Sequence, residues 1–194
     1  MSLKEKLRAA KAQMALQLPA EVSQAFAASL QGLIDKQLAD KALTVNDKAP
    51  LAVLKDSDGQ AVDLRQLLDA GPLVLVFYRG LWCPFCNLAL NAYQQIAGDL
   101  AERGATLVAV SAQTPEYSLK TREALGIKYL LLSDHENQLA RQYGIVFTLE
   151  DELAQVYRSL GADLQDFNGS SALTLPMALM WPGGGDWPVR IVPI

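Results

Sequence analysis

An apolar run that ends in a pair of cysteines limits the folds open to this chain more than any other feature. Residues 73–78 (LVLVFY) are apolar without alternation, which is typical of a central strand buried on both faces. The stretch RGLWCPFC (residues 79–86) follows directly, a helical pattern comes next, and the chain has no other cysteine. This order predicts a redox dithiol where a strand passes into a helix, at the strand end where open α/β sheets place their sites.

The spacing Cys83-Pro84-Phe85-Cys86 predicts two thiols of unequal acidity. If Cys83 caps the helix, Pro84 falls at the first helical position, where its missing N–H costs nothing. The N–H groups of Phe85 and Cys86 then point at the Cys83 sulfur, and the helix dipole adds positive potential there. Because both effects favour the thiolate, the pKa of Cys83 should lie below the free value of about 8.5. Cys86 is then placed to attack a mixed disulfide or a sulfenic acid on Cys83.

The cysteine pair has two other possible interpretations. Half of a structural zinc site would need further ligands, and His135 is the only other soft candidate. Two cysteines could also fill a core as small hydrophobes. His135 itself stands in a predicted strand-to-helix loop, so we interpret it as a solvated residue at a helix start and not as an acid–base catalyst. We therefore predict redox chemistry at the dithiol, with no metal and no cofactor.

Composition excludes several classes of function. The net charge of −4, without a Lys/Arg cluster, argues against nucleic-acid binding. The first residues are charged and lack a continuous apolar run, so we expect no signal peptide, and no segment has the length and apolarity of a membrane span. These features predict a cytoplasmic protein, and in that reducing compartment a close cysteine pair is expected to be catalytic rather than structural.

The rest of the chain predicts an α/β domain with a helical appendage. Two amphipathic helices, at about 3–18 and 21–38, form an appendage over residues 1–42, and residues 43–194 form the domain. The apolar stripe of the second helix needs a cover, either the domain itself or a second subunit in a homodimer. Alternating strands and helices predict a central mixed β-sheet flanked by helices. The expected elements are an N-terminal β-hairpin at 50–62, helices at 64–68, after Cys86 to 102, 116–125, 136–143 and 149–160, strands at 73–78, 105–110, 129–132 and 145–147, a polar loop at 161–171, and a terminal hairpin at 177–192 with a turn at 183–185.

The order of strand, Trp-Cys-x-x-Cys, helix and a later Leu175-Pro176 before a strand resembles the thioredoxin fold. In that superfamily the matching proline is cis and lies against the dithiol, so the resemblance implies a cis bond before Pro176. From about residue 43 to residue 181 the chain resembles the peroxiredoxin-like branch of the alkyl hydroperoxide reductase/thiol-specific antioxidant family. The matching stretches are Val45 to Pro50, Phe77 to Gly80, Trp82 to Cys86, Leu132 to Asp134, Ala140 to Gly144, and Leu175-Pro176.

This resemblance implies an antioxidant thiol peroxidase. A thiolate on Cys83 or Cys86 would attack a peroxide O–O bond and become a sulfenic acid; the other cysteine would condense with it, and an external thiol reductant of the thioredoxin or glutathione type would restore the dithiol. Arg79 would hold the thiolate or the departing oxygen as a fixed cation, or would be only a surface charge. Trp82 would shield one side of the site or simply pack there. The remaining active-site support is expected from Pro84 and Pro176.

The sequence departs from the family pattern at the site. In the usual register Arg79 stands at the proline of the family's Phe-Tyr-Pro, Cys83 at its threonine and Cys86 at its peroxidatic cysteine. Pro176 stands about where the peroxide-binding arginine falls, and Phe77 stands at the buried acid of thioredoxins. A dithiol-disulfide oxidoreductase without significant peroxidase activity, or a redox-sensing interaction module, therefore remains as an alternative. Family members also continue into another helix after the last strand, so we expect the appendage or a partner subunit to cover that face.

Overall fold

The computed structural model describes residues 1–44, 47–181 and 190–192. Its strands are β1 (Val53–Asp56), β2 (Ala61–Asp63), β3 (Leu73–Phe77), β4 (Thr106–Ser111), β5 (Leu130–Ser133), β6 (Val146–Thr148), β7 (Ala172–Thr174), β8 (Met177–Trp181) and β9 (Arg190–Val192). Its α-helices are α1 (Leu3–Gln17), α2 (Ala20–Asp35), α3 (Leu64–Ala70), α4 (Pro84–Glu102), α5 (Pro115–Leu125), α6 (Gln138–Gln142), α7 (Asp151–Ser159) and α8 (Leu164–Asn168). Two short 3-10 helices lie at Leu38–Lys41 and His135–Asn137.

A seven-stranded mixed sheet lies at the centre, in the order β2-β1-β5-β4-β3-β8-β9. The neighbours β3, β4 and β5 are parallel, while β1 and β8 join them antiparallel on either side. Every residue of β3 is buried, as expected of a strand covered on both faces. The predicted mixed sheet with flanking helices and an N-terminal hairpin, formed by β1 and β2, is confirmed.

Successive side chains of β3 belong to two separate cores on opposite faces of the sheet. Leu75 and Phe77 pack in one core, together with residues of β4, α6 and β8. Val76 and the following Tyr78 pack in the other, with α4 and both cysteines. Because successive side chains of a strand lie on opposite faces of the sheet, Val76 and Tyr78 share the second core with the dithiol at the start of α4.

Three elements differ from the sequence prediction. The helix expected at 136–143 is interrupted because Glu136 and Asn137 adopt left-handed φ angles of 55° and 58°, and α6 begins only after them. The loop expected at 161–171 contains α8, whose cap Asp163 accepts the Gln165 N–H at 3.1 Å. The strand β7 was not expected, and it pairs with β6 as a separate two-stranded sheet. The turn predicted at 183–185 lies outside the described residues, although β8 and β9 pair antiparallel as expected of a terminal hairpin.

The two N-terminal helices pack on the rest of the chain. Helix α1 starts at a capping box in which Ser2 and Glu5 exchange side-chain and backbone hydrogen bonds, and it lies along α4. Helix α2 lies on α7, where the ring of Phe26 meets Tyr157. Leu30 and Ile34 of α2 stay 57% and 58% exposed, so the described chain covers the apolar stripe only in part. Within the described residues, no helix combines the length and apolarity needed to cross a lipid bilayer.

Candidate active site

The two cysteines lie where β3 passes into α4. Cys83 is the N-cap of α4 and Pro84 its first residue, as the spacing predicts, but the Cys83 side chain accepts no capping hydrogen bond of normal geometry. The two cysteine residues are only 2% and 3% exposed, and both are free thiols. The structure therefore brings the two predicted catalytic residues together in a nearly closed site at the carboxyl edge of the sheet.

The two thiols have opposite pKa shifts. A hydrogen bond from the Cys86 side chain is the main cause that lowers the pKa of Cys83 to about 6; burial opposes it, and the positive charge of Arg79 and the Cys86 amide N–H add to it. The same hydrogen bond, together with burial, raises the pKa of Cys86 well above its ordinary value. Cys83 is therefore the thiolate near neutral pH, and Cys86 is the thiol that donates to it. The amide group at the helix start lowers the pKa of Cys83 less than the partner thiol does.

Arg79 lies close to both cysteines, and its side chain is half-buried rather than fully exposed. Its backbone N–H donates to the Cys86 sulfur at 3.4 Å, and its guanidinium carbon lies 5.9 Å from the centre of the Trp82 ring. Burial opposes the charge of this half-buried side chain, but the neighbouring Cys83 and Cys86 outweigh it and raise the pKa of Arg79. Its Nε is buried and has no hydrogen-bond partner among the described residues.

Three aromatic rings, those of Trp82, Tyr157 and Phe26, contact one another beside the core that contains the cysteines, and we call them the aromatic wall. Trp82 and Tyr157 meet edge to face with ring centroids 5.4 Å apart, and Phe26 of α2 meets the same Tyr157 ring at 5.3 Å. Burial raises the pKa of Tyr157, while Arg79 opposes that rise by its charge and by a hydrogen bond. Tyr157 was not predicted, because it stands on α7 far along the chain and no local spacing marks it.

Tyr78 lies on the cysteine side of the sheet, whereas Phe77 does not. Phe77 packs in the opposite core against Tyr143, with ring centroids 5.0 Å apart. Burial raises the pKa of Tyr78 to about 12, and its buried hydroxyl group has no hydrogen-bond partner among the described residues. The group next to Cys86 just after β3 is thus a neutral phenol, and the carboxylate that thioredoxins place near their dithiol has no counterpart on β3.

The expected cis bond before Pro176 is wrong. The described residues contain no cis peptide bond. The Leu175 N–H donates to the Ile145 carbonyl at 2.8 Å, which holds the segment extended, and the trans isomer is the lower in free energy by about 0.5–1 kcal/mol. Pro176 is exposed, although the next residue, Met177, pairs with Phe77 at the end of β3. Its position at this edge of the sheet is as expected, and its predicted supporting role stays a prediction.

The loop after β5 has a structural role, because its Asp134 holds the start of α6 by hydrogen bonds. The side chain of His135 is 81% exposed and lies 3.9 Å from the Glu136 carboxylate, as expected of a solvated residue at a helix start. The buried Asp134 carboxylate accepts the N–H groups of Leu139 and Ala140, each at 2.9 Å. Its hydrogen bonds tie the end of β5 to the start of α6, which accounts for an acidic residue at this strand end without a catalytic role.

Two amide side chains that no local spacing marks contact the turn between β3 and α4. Gln113 Oε1 accepts the Leu81 N–H at 2.6 Å, and Asn87 Nδ2 donates to the Leu81 carbonyl at 2.7 Å. Gln113 comes two residues after β4, at the same sheet edge as the cysteines. The strand-end rule that located the dithiol could therefore have identified it.

The aromatic wall predicts that α2 contributes to stability through Phe26. Phe26→Ala should lower the free energy of unfolding by about 1–2 kcal/mol, since an aromatic pair and a half-buried ring are lost. Leu30→Ala on the same helix is the matched control and should change it by less than about 0.5 kcal/mol, because Leu30 is 57% exposed. Urea unfolding followed by circular dichroism measures both. Equal losses in the two variants would contradict the described packing of α2.

Comparisons with known proteins agree with this arrangement. Residues 45–165 match the model of the AhpC/TSA family. A putative peroxiredoxin of Mycobacterium tuberculosis is 33% identical over 103 residues, which cover 53% of this chain and 64% of that protein. The thiol-disulfide oxidoreductase ResA of Halalkalibacterium halodurans is 28% identical over 109 residues, which cover 55% of this chain and 61% of that protein. The chain thus spans less than two thirds of the length of these two relatives.

A solved structure extends the likeness to the fold. The crystal structure of peroxidoxin BcpB from Mycobacterium tuberculosis matches with a TM-score of 0.59 at 23% identity, over 77% of this chain and 85% of that chain. The match confirms the predicted thioredoxin-like fold. Since the family model also covers most of the chain, strand β3, the dithiol and helix α4 included, the protein belongs to the AhpC/TSA family.

Proposed function

We propose that this protein is a thiol-based antioxidant oxidoreductase that reduces hydrogen peroxide or organic hydroperoxides at Cys83 and Cys86. The observation that carries the proposal is the pairing of a Cys83 thiolate, with a pKa of about 6, and a hydrogen-bonded Cys86 thiol in one buried site. The thiolate is the reactive form of cysteine, so the site holds its nucleophile ready near neutral pH. Membership of the AhpC/TSA family supports a peroxide as the electrophile.

The proposed reaction has three steps. The Cys83 thiolate attacks the terminal oxygen of the hydroperoxide, the O–O bond breaks, and the alkoxide or hydroxide that leaves takes a proton from water. Cys86 then attacks the sulfur of the Cys83 sulfenic acid; the S–S bond forms, and the hydroxyl group departs with the Cys86 proton as water. An external thiol reductant, of the thioredoxin or glutathione type, supplies two electrons and two protons to restore the dithiol.

Arg79 and Trp82 support the first step in this proposal. The positive charge of Arg79 lies close enough to lower the pKa of Cys83, and the same charge would stabilise the negative oxygen that leaves. Trp82 packs against both the core that contains the cysteines and the cluster around α7, so it shields the sulfurs from bulk water. Pro84 starts α4 without an N–H that needs a partner.

A disulfide oxidoreductase is the second candidate, and two observations favour it. The thiolate lies on the N-cap cysteine of a Cys-x-x-Cys motif, whereas the family register would put the peroxidatic cysteine at Cys86. One of the relatives is also named a thiol-disulfide oxidoreductase. In that case Cys83 would attack a substrate disulfide, and Cys86 would resolve the mixed disulfide.

The test is the reaction of the reduced protein with peroxide, followed by tryptophan fluorescence in a stopped-flow instrument. The second-order rate constant should exceed that of a free thiol at the same pH. It should rise as the pH increases through about 6 and level off above about pH 7, because the Cys83 thiolate is then fully formed. A rate equal to that of a free thiol, with rapid reduction of a small disulfide, would leave the disulfide oxidoreductase as the function.

The partners and the location are part of the proposal. We propose a cytoplasmic protein that is recycled by a cellular thiol reductant. A homodimer is supported by the exposed Leu30 and Ile34 on α2, which leave an apolar strip on the surface of the described chain.

A further inference from the structure

The turn that leads into α4 has peptide groups that it cannot satisfy itself. The Cys83 N–H donates to the Gly80 carbonyl at 3.1 Å, which closes a four-residue turn with Leu81 and Trp82 at its centre. This hydrogen bond uses only the outer groups of the turn. The N–H and the carbonyl of Leu81 therefore need other partners, since backbone groups without partners are costly in a buried site.

Two amide side chains supply those partners from different elements. Gln113 Oε1 accepts the Leu81 N–H, and Asn87 Nδ2 donates to the Leu81 carbonyl. Gln113 is fully buried, and its Nε2 donates to Thr121 Oγ1 at 2.9 Å. The Thr121 hydroxyl in turn donates to the Tyr117 carbonyl at 2.8 Å. The Leu81 peptide is thus linked through Gln113 to the interior of α5.

Asn87 links the turn to α4. Its backbone N–H donates to the Cys83 carbonyl at 3.0 Å while its side chain contacts Leu81, so one residue contacts both the turn and the helix cap. Gln113 also packs closely against the turn. A Cβ at Gly80, where φ is +151°, would lie 2.5 Å from Gln113 Oε1, so the approach depends on a glycine there.

We propose that Gln113 and Asn87 are positioning residues of this site: by holding the two peptide groups of Leu81, they fix the turn that places the Cys83 sulfur beside Arg79 and Cys86. This inference rests on the proposed function only in taking Cys83 as the reacting sulfur. The amide group suits the task because it offers an acceptor and a donor without charge. A carboxylate at position 113 could not donate to Thr121, and an aliphatic side chain would leave the Leu81 N–H unpaired.

The test compares three variants by the rate at which iodoacetamide alkylates Cys83 as a function of pH, with mass spectrometry identifying the modified residue. Gln113→Leu and Asn87→Ala should each raise the apparent pKa of Cys83 by about one unit, because a loosened turn lets the sulfur move away from Arg79. Gln94→Leu is the matched control. Gln94 Oε1 also accepts a loop N–H, that of Lys128 at 2.7 Å, but it lines a groove at the other end of α4.

The control should keep the apparent pKa of Cys83 at about 6 even where it lowers stability. If Asn87→Ala keeps the wild-type pKa within a few tenths, the inference is overturned. Asn87 is only half-buried, and the alanine that replaces it favours a helix, so Asn87→Ala should fold. This variant therefore gives an answer even if Gln113→Leu does not fold. Alkylation needs no peroxide. A protein that failed to reduce peroxide would therefore still show the shift, which separates this inference from the proposed function.

Discussion

Replacing Cys83 with serine is expected to abolish the reaction with peroxide, with a loss on the order of 10³-fold or more, as removal of a nucleophile produces. Cys86→Ser should keep the first step close to the wild-type rate and stop at the sulfenic acid. The reason is that the serine hydroxyl can still donate a hydrogen bond to the Cys83 thiolate, and that bond is the main cause of its low pKa. Trapping with a sulfenic-acid reagent after peroxide, followed by mass spectrometry, identifies the oxidised sulfur.

Cys86→Ala is the control for this experiment. It removes both the resolving thiol and the hydrogen bond, so the pKa of Cys83 should rise and the reaction at pH 7 should be slower than in Cys86→Ser. The opposite labelling pattern would be equally informative. A sulfenic acid on Cys86 in the Cys83→Ser variant would mean that the family register, and not the helix-cap thiolate, identifies the peroxidatic sulfur.

Arg79→Met is expected to have the second largest effect. Removal of a neighbouring positive charge should raise the pKa of Cys83 by about two units, within the usual range for a close charge pair. With the folded-state pKa moved from about 6 to about 8, the thiolate fraction at pH 7, and with it the rate, should fall by roughly tenfold. The rate should recover as the pH is raised above the new pKa. Alkylation or peroxide kinetics between pH 5 and pH 9 would measure the profile.

Arg122→Met is the matched control for Arg79→Met. Arg122 pairs with the Asp58 carboxylate at 2.6 Å, far from the cysteines, so its loss should leave the pH profile of Cys83 unchanged. A rate for Arg79→Met that stays low at pH 9 would point to a different role. The arginine would then act on the departing oxygen rather than on the thiolate, because raising the pH cannot replace a charge in the transition state.

The central part of the fold could be predicted because its signals are local. The apolar run at 73–78, the proline after Cys83 and the stripe on α4 lie next to one another in the chain, and each fits only one structure. The unequal acidity of the cysteines followed from the same few residues. Spacing could not show that the hydrogen bond from the Cys86 thiol, and not the amide groups at the helix start, is the main cause of the low pKa of Cys83.

The rest of the site depends on contacts that sequence spacing does not encode. Tyr157 and Phe26 meet at the site only because α2 packs on α7. Gln113 and Asn87 have short polar side chains whose partners are backbone groups of another segment. The short elements α8 and β7, with five and three residues, are too short for a hydrophobic period to show. The cis expectation for Pro176 came from the family likeness alone, and the local hydrogen bond of Leu175 fits a trans bond.

The edge-to-face contact between Phe26 and Tyr157 also bears on which part of the chain could be removed. A truncated version that starts at residue 43 would retain both cysteines, the whole central sheet and the residues that match the family model. It would nevertheless lack the ring that backs Tyr157, and the wall around the dithiol would then face solvent on that side. The N-terminal segment is therefore better kept with the residues around the dithiol than treated as a removable extension.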